Sequence, residues 1–127
     1  MSQIIQYLSN ISAQYDAVFC DLWGCLHNGH TPFPAAVRAL QTYRRAGGTV
    51  ILVTNSPRPS ASVKAQLDGM HVPQDCYDAI ASSGDAAQFG FYGGAVGQKV
   101  YHIGPPHDVG FFTSVSAELN IFMAPNP

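Results

Sequence analysis

Asp21 closes the apolar run Ala17-Val18-Phe19-Cys20 and opens the loop Leu22-Trp23-Gly24-Cys25-Leu26-His27-Asn28-Gly29. A carboxylate at the C-terminal tip of a buried strand, followed by a glycine-bearing loop, stands where open α/β sheets bind their ligands. There it can coordinate a hard cation or attack phosphorus as a nucleophile. A second apolar run, Thr49-Val50-Ile51-Leu52-Val53, ends in Thr54-Asn55-Ser56. If the two runs lie side by side as parallel strands, one rim carries a nucleophile next to hydroxyl and amide donors. Asp21, Thr54 and Asn55 are therefore the candidate site residues. The competing readings stay open: Asp21 as the cap of a turn, and Thr54-Asn55 as a helix-initiating loop.

Other clusters carry weaker chemistry. Cys25-x-His27-x-x-His30 has metal-ligating side chains but no fourth ligand for a closed zinc site, and His27-Asn28-Gly29 reads better as a turn. Gly93-Gly94-Ala95-Val96-Gly97 lacks the dinucleotide-binding glycine spacing and precedes a strand instead of following one. Lys99, Gly104 and Asp108 present a lysine, a glycine and an acid in order, with the lysine on a strand and Pro105-Pro106 stiffening the loop. Asp85 reads as the cap of its own helix or as a brace for the Ser82-Ser83 loop.

These residues need elements to hold them. Ile4, Ile5, Leu8 and Ile11 recur at helical spacing and predict an amphipathic helix over 3–14. Residues 16–22 read as a buried strand. Pro34 suits the first turn of a helix carrying Val37, Leu40 and the Arg44 stem, and Gly47-Gly48 stop it. Residues 49–54 are apolar without a break, as in a strand buried on both faces. Ser60 or Ser62 caps a helix with Val63, Leu67 and Met70. Ala79-Ile80-Ala81 is a third strand ending in Ser82-Ser83-Gly84-Asp85. A helix through Ala86, Ala87 and Phe89 closes at Gly93-Gly94, and Lys99 to Ile103 reads as a fourth strand. Ile121-Phe122-Met123 is a further short strand candidate. The alternation predicts an α/β fold, a Rossmann-like parallel sheet with flanking helices.

Composition narrows the partners. A chain of 127 residues is one domain by length. Charged residues make up 11% and the net charge is −2, with no basic cluster, so nucleic acid and anionic membranes are not expected partners. Low charge also points to a surface partly covered by a partner, or to one rich in Ser, Gln and Asn. The three cysteines form no C-x-x-C pair and read as small buried hydrophobes in a reducing cytosol. No signal peptide or membrane-spanning run is evident, so the expected location is cytoplasmic.

Asp21-Leu22-Trp23-Gly24-Cys25-Leu26-His27-Asn28-Gly29 resembles the first motif of the haloacid dehalogenase superfamily, in the class IIA form Asp-x-Trp-Gly-x-Leu-His-x-Gly. Val53-Thr54-Asn55-Ser56 resembles that branch's second motif. Ser82-Ser83-Gly84-Asp85-Ala86 and Lys99-Val100-Tyr101-His102-Ile103-Gly104 follow in the same order, so the resemblance spans residues 15–108. It implies Mg²⁺-dependent phosphate-ester hydrolysis through an aspartyl-phosphate, with a small phosphorylated metabolite as substrate. Asp21 would be nucleophile and metal ligand, the Trp23 backbone carbonyl a second ligand, and Thr54 and Asn55 the phosphate contacts.

Three departures accompany the resemblance. Trp23 stands where active phosphatases carry an acid–base Asp, a group worth about 10²–10⁴ in rate. The superfamily's later lysine and acidic pair have no counterpart in a matching context. Family members are also much longer, so the resemblance assigns residues 1–96 to the first part of the core and 97–127 to the start of a cap or a divergent tail. The alternative function is a catalytically inactive domain that retains only metal or anion binding. A receiver domain, which also phosphorylates a strand-tip Asp, wants an acidic pair after its first strand, and only Asp16 is near. Without later strands, the Asp21 strand would be an apolar edge. The expected cover is Lys99–Ile103, Ile121–Ala124, or a second copy of the chain.

Overall fold

The computed structural model describes residues 4–109, 111–112 and 122–123. Three parallel strands form the main sheet in the order β1 (Ala17–Asp21), β2 (Thr49–Thr54), β3 (Ala79–Ser82). Helix α1 (Pro34–Arg45) connects β1 to β2, and α2 (Ser60–Gly69) connects β2 to β3. Helix α3 (Ser83–Tyr92) follows β3 directly. The α/β reading of the sequence holds: each parallel pair of the main sheet is joined through a helix, the usual crossover for parallel strands.

Local chemistry explains the boundaries. Pro34 occupies the first turn of α1, where its missing N–H is harmless. Arg44 and Arg45 lie in the last turn, where cations favour the helix dipole. Val37, Leu40 and Tyr43 recur on one face and are buried. They meet Val63 and Leu67 of α2 over Val50 and Leu52 of β2, with Leu22, Leu26, Val72 and Cys76 completing the core. The Tyr43 hydroxyl donates to the Tyr15 carbonyl at 2.7 Å and ties down the approach to β1.

Residues 8–14 differ from the expected helix. They form two short 3₁₀ turns, Leu8–Asn10 and Ser12–Gln14. Asn10 Oδ1 accepts the Tyr7 N–H at 2.9 Å, and such short side-chain bonds compete with helical ones. Leu8 packs against the core while Ile4 and Ile5 stay exposed, so no apolar stripe is buried along the segment.

Strand β2 also departs from expectation. Val50, Leu52 and Thr54 are buried, whereas Ile51 is half-buried and Val53 exposed. Helices α1 and α2 cover one face of the strand only. The expected fourth strand is shorter than predicted: β4 (Lys99–Val100) pairs in parallel with β5 (Phe122–Met123) in a separate two-stranded sheet. Neither therefore pairs with β1, and the outer edge of β1 has no strand beside it among the described residues. Ile121 and Ala124 lie outside the described residues.

Candidate functional site

The register of the sheet sets the rim. Asp21 pairs with Val53, and Thr54, the next residue on β2, pairs with Ser82. Asp21 and Thr54 thus end neighbouring parallel strands on the same edge of the sheet. Because successive strand residues turn to opposite faces, Asp21 shares the open face with Val53, while Thr54 turns to the covered face with Ser82. Asp21 is exposed at the strand tip and is not turned into the interior. Its Oδ1 accepts the Leu22 N–H at 2.8 Å, which fixes the carboxylate over the start of the loop.

The loop after Asp21 is locked by its own backbone. The Leu22 carbonyl accepts the N–H groups of Cys25, Leu26 and His27 at 3.3, 2.8 and 3.1 Å. Gly24 N–H donates to the His27 carbonyl at 2.9 Å. Leu26 and His27 are buried, with the His27 ring edge-on to Trp23 at 5.4 Å between centroids. Gly29 has φ +90° and lies under the Trp23 indole so closely that a Cβ there would collide with the ring. Only glycine meets both demands. Trp23 acts as a wedge that holds the loop while remaining 60% exposed. Asn28 Oδ1 accepts from the His30 and Thr31 N–H groups at 3.0 and 2.9 Å, an Asx turn that returns the chain toward α1.

His27 is therefore a structural residue. Its Nδ1 accepts the Gly29 N–H at 3.0 Å, and burial lowers its pKa against the opposing pull of the Asp21 charge. The expected turn at His27-Asn28-Gly29 is present. Cys20 is half-buried, and burial, with the nearby Cys25 and Asp21, pushes its thiol up to about 11. Cys76 is buried and also raised to about 11, mainly by burial. Cys25 departs from the expectation of burial: it is exposed, because the tight loop spends its apolar contact on Leu22 and Leu26.

On the neighbouring strand, hydroxyls organise the rim. Thr54 Oγ1 accepts the Ser56 N–H at 3.2 Å, and Ser56 Oγ accepts the Arg58 N–H at 3.2 Å. Thr54 is buried, and because its Oγ1 accepts that bond through a lone pair, its hydroxyl can still donate to a ligand oxygen. Gly84 N–H donates to the Ser56 carbonyl at 3.1 Å, so α3 anchors the same loop. Asp85 braces two elements. Its N–H donates to Ser82 Oγ at 3.1 Å, while its Oδ1 accepts the Ser60 N–H at 2.9 Å and caps the start of α2. That cap comes from another helix, so the predicted Ser60 or Ser62 cap is replaced: Pro59 holds the N-cap position and makes no side-chain bond.

Two cavities open at this rim. The smaller, about 340 Å³, is lined by Trp23, Thr54, Asn55, Ser56, Pro57, Arg58, Gln66 and Asp108. The larger, about 880 Å³, shares Asn55, Pro57, Arg58 and Asp108 with it and extends to Ser83, His102 and Phe112. Trp23, Thr54 and Asn55 are thus brought together around one space. Asp21 is not among the lining residues of either cavity. The sequence reading missed Arg58, although it lies four residues past Thr54 in the same loop. It noted Asp108 only in company with Lys99. Asp108 reaches the rim, whereas Lys99 is held in β4 and lines neither cavity.

Two oxygen donors at the tip of β1 could contribute to holding a hard cation, and no group of three or more His, Cys, Asp or Glu side chains is gathered for one among the described residues. The Trp23 carbonyl accepts no hydrogen bond among the described residues, and the bond from Leu22 N–H falls on Oδ1 of Asp21, leaving Oδ2 unbonded there. Exposed carboxylate and carbonyl oxygens are what Mg²⁺ takes, and it keeps several waters. His27 is withdrawn from that role by its bond to Gly29.

Comparison with known proteins bears on the fold and the family. The sequence pattern of haloacid dehalogenase-like hydrolases matches residues 18–117. A haloacid dehalogenase-like hydrolase from Brucella suis 1330 is similar in structure, with a TM-score of 0.83 and 35% identity over 98% of this chain. The chain spans 45% of that protein's length. A hypothetical protein from Pyrococcus horikoshii OT3 shares the fold at a TM-score of 0.58 and 19% identity, covering 86% of this chain and 40% of its own. No curated protein matches the chain. A matching pattern over most of the sequence, together with a parallel sheet that superimposes on a solved relative, places the chain in the haloacid dehalogenase-like hydrolase family.

Proposed function

We propose that this chain carries the nucleophile-bearing part of a Mg²⁺-dependent phosphate-ester hydrolase acting on a small phosphorylated metabolite. The observation that carries the reading is the shared rim: Asp21 and Thr54 close adjacent parallel strands one register step apart. An Asp21 oxygen would attack phosphorus, and the P–O bond to the leaving group would break with its electron pair. Water would then cleave the aspartyl-phosphate, releasing inorganic phosphate and restoring the carboxylate. The Thr54 hydroxyl and Asn55 amide would hold phosphoryl oxygens, since phosphoryl transfer depends on positioning and charge neutralisation. Asp21 and the Trp23 carbonyl would hold Mg²⁺, which when bound supplies positive charge against the phosphoryl oxygens.

Three unpaired cysteines fit a reducing cytoplasm. No helix among the described residues is long and apolar enough to cross a membrane. A second reading, metal or anion binding without turnover, is favoured by one observation. Asp21 lies outside the cavity that Thr54 and Asn55 line. Hydrolysis of an aryl phosphate with and without Mg²⁺, by the wild-type chain and by Asp21→Asn, separates the two. The hydrolase reading expects a Mg²⁺-dependent rate that Asp21→Asn reduces to background. Equal background rates for both proteins establish the non-catalytic reading.

A further inference from the structure

We propose that Arg58 contributes a positive charge that holds and orients the phosphoryl group at the Thr54–Asn55 rim, an inference that rests on the phosphate-ester reading above. The chemistry requires such a cation. A phosphoryl dianion beside an ionised carboxylate needs positive charge from fixed protein groups as well as from any metal. Among the six lysines and arginines, Arg58 is the one lining the small cavity with Thr54 and Asn55. Arg44 is committed to Asp78, and Lys64 to Asp68.

The loop delivers Arg58 with little freedom at its backbone. Its N–H is held by Ser56 Oγ, and the Ser56 N–H is held in turn by Thr54 Oγ1, each at 3.2 Å. Gly84, buried at the start of α3, packs against the Arg58 carbonyl so closely that a Cβ would overlap it. Pro57 and Pro59 flank the residue and fix φ on both sides. The side chain is exposed, and its guanidinium makes no hydrogen bond or ion pair among the described residues. A planar guanidinium on a pinned backbone can present two parallel N–H donors to a phosphate.

Arg58 also lines the large cavity, so it stands at the seam between the two spaces. The small space holds the hydroxyl and amide donors of the rim. The large one, lined by Pro59, Ala87, Ile103 and Phe112 among others, has room for the remainder of an ester. A cation at that seam would hold the phosphoryl end inward and leave the organic end over the apolar wall. Asp108 lines both spaces as well.

The test titrates inorganic phosphate, in the presence of Mg²⁺, into the wild-type chain and the variants Arg58→Gln, Arg58→Lys and Thr54→Val, following binding by NMR. Arg58→Gln is expected to weaken phosphate binding by about tenfold or more, the effect of losing a charge-assisted pair. Arg58→Lys keeps the charge but not the fork and should fall between. Melting temperatures of both Arg58 variants should match the wild type, since the side chain is exposed. Unchanged affinity in Arg58→Gln with weakened binding in Thr54→Val overturns the role of Arg58 and leaves the rim intact. Weakened binding in Arg58→Gln with unchanged binding in Thr54→Val means the arginine meets anions away from the rim, and the placement proposed here fails. Absence of phosphate binding by the wild-type chain overturns both readings.

Discussion

The two faces of the main sheet are made of the same kinds of residue and have opposite fates. Val50 and Leu52 lie fully buried beneath α1 and α2. Phe19, Ile51 and Val53, equally apolar, line up across the other face through the pairs Phe19↔Ile51 and Asp21↔Val53. There Phe19 is 74% exposed and Val53 40%. Strands buried on both faces lose the alternation that one-sided strands keep. The composition of β1 and β2 is thus that of a sheet covered twice, and the described residues cover it once. The match to the Brucella hydrolase runs over 45% of that protein's length. Asp21 belongs to the open face and Thr54 to the closed one, so the proposed site straddles the boundary.

The sharpest test of this contrast compares one residue from each face. Leu52→Ala removes a fully buried β2 side chain beneath the helices and should cost about 2–5 kcal/mol in urea unfolding. Phe19→Ala, on the open face, should stay within about 0.5 kcal/mol despite deleting a larger side chain. A cost at Phe19 comparable with that at Leu52 would mean the open face is covered in solution.

A second effect lies at the closed end of the loop. His27 is buried with its pKa lowered by desolvation, while in the unfolded chain it returns to the ordinary imidazole value of about 6.5. Below that value the unfolded state binds the extra proton more readily than the folded one. Stability from this group is therefore complete above the unfolded pKa and is lost as pH falls toward the folded one. Denaturation midpoints should fall as pH is lowered from 7 to 5, and His27→Gln should flatten that part of the profile. An unchanged slope in the variant would assign the pH response to other groups.

Legibility from the sequence followed the range of the forces involved. Helix α1 could be read to within a residue or two, because Pro34 and Gly47-Gly48 act on their own backbone. The β1–α1–β2–α2–β3 order and the placing of Asp21 and Thr54 on one rim followed from apolar runs and intervening helical patterns. The face that β2 exposes was not readable, since continuous apolarity records what a strand can bury and not what covers it. Residues 8–14 misled because Ile4, Leu8 and Ile11 repeat at helical spacing while Asn10 captures the Tyr7 N–H. Arg58 escaped notice because its place depends on hydroxyl bonds within the loop and on the close approach of Gly84, neither of which has a periodic signature. The rim loop and the start of α2 are held to α3 through the Ser56–Gly84 and Ser60–Asp85 bonds, between residues 25 or more positions apart.

The smallest expected change in folding stability carries the most information about what meets the open face. Phe19 lies in the middle of β1, whose outer edge has no partner among the described residues. An apolar strand with unpaired N–H and C=O groups on one side and exposed aromatic surface on one face is a template for pairing with another chain. The homo-oligomer expected from the sequence would use this edge. Phe19→Ser should leave the unfolding midpoint of the dilute chain nearly unchanged, since the side chain makes little internal contact. In sedimentation at increasing protein concentration, the wild-type chain should shift toward a dimer and Phe19→Ser should lag behind it. Identical concentration dependence in the two proteins would remove Phe19 from the contact, and a wild-type monomer throughout would show that the edge is held apart from other copies.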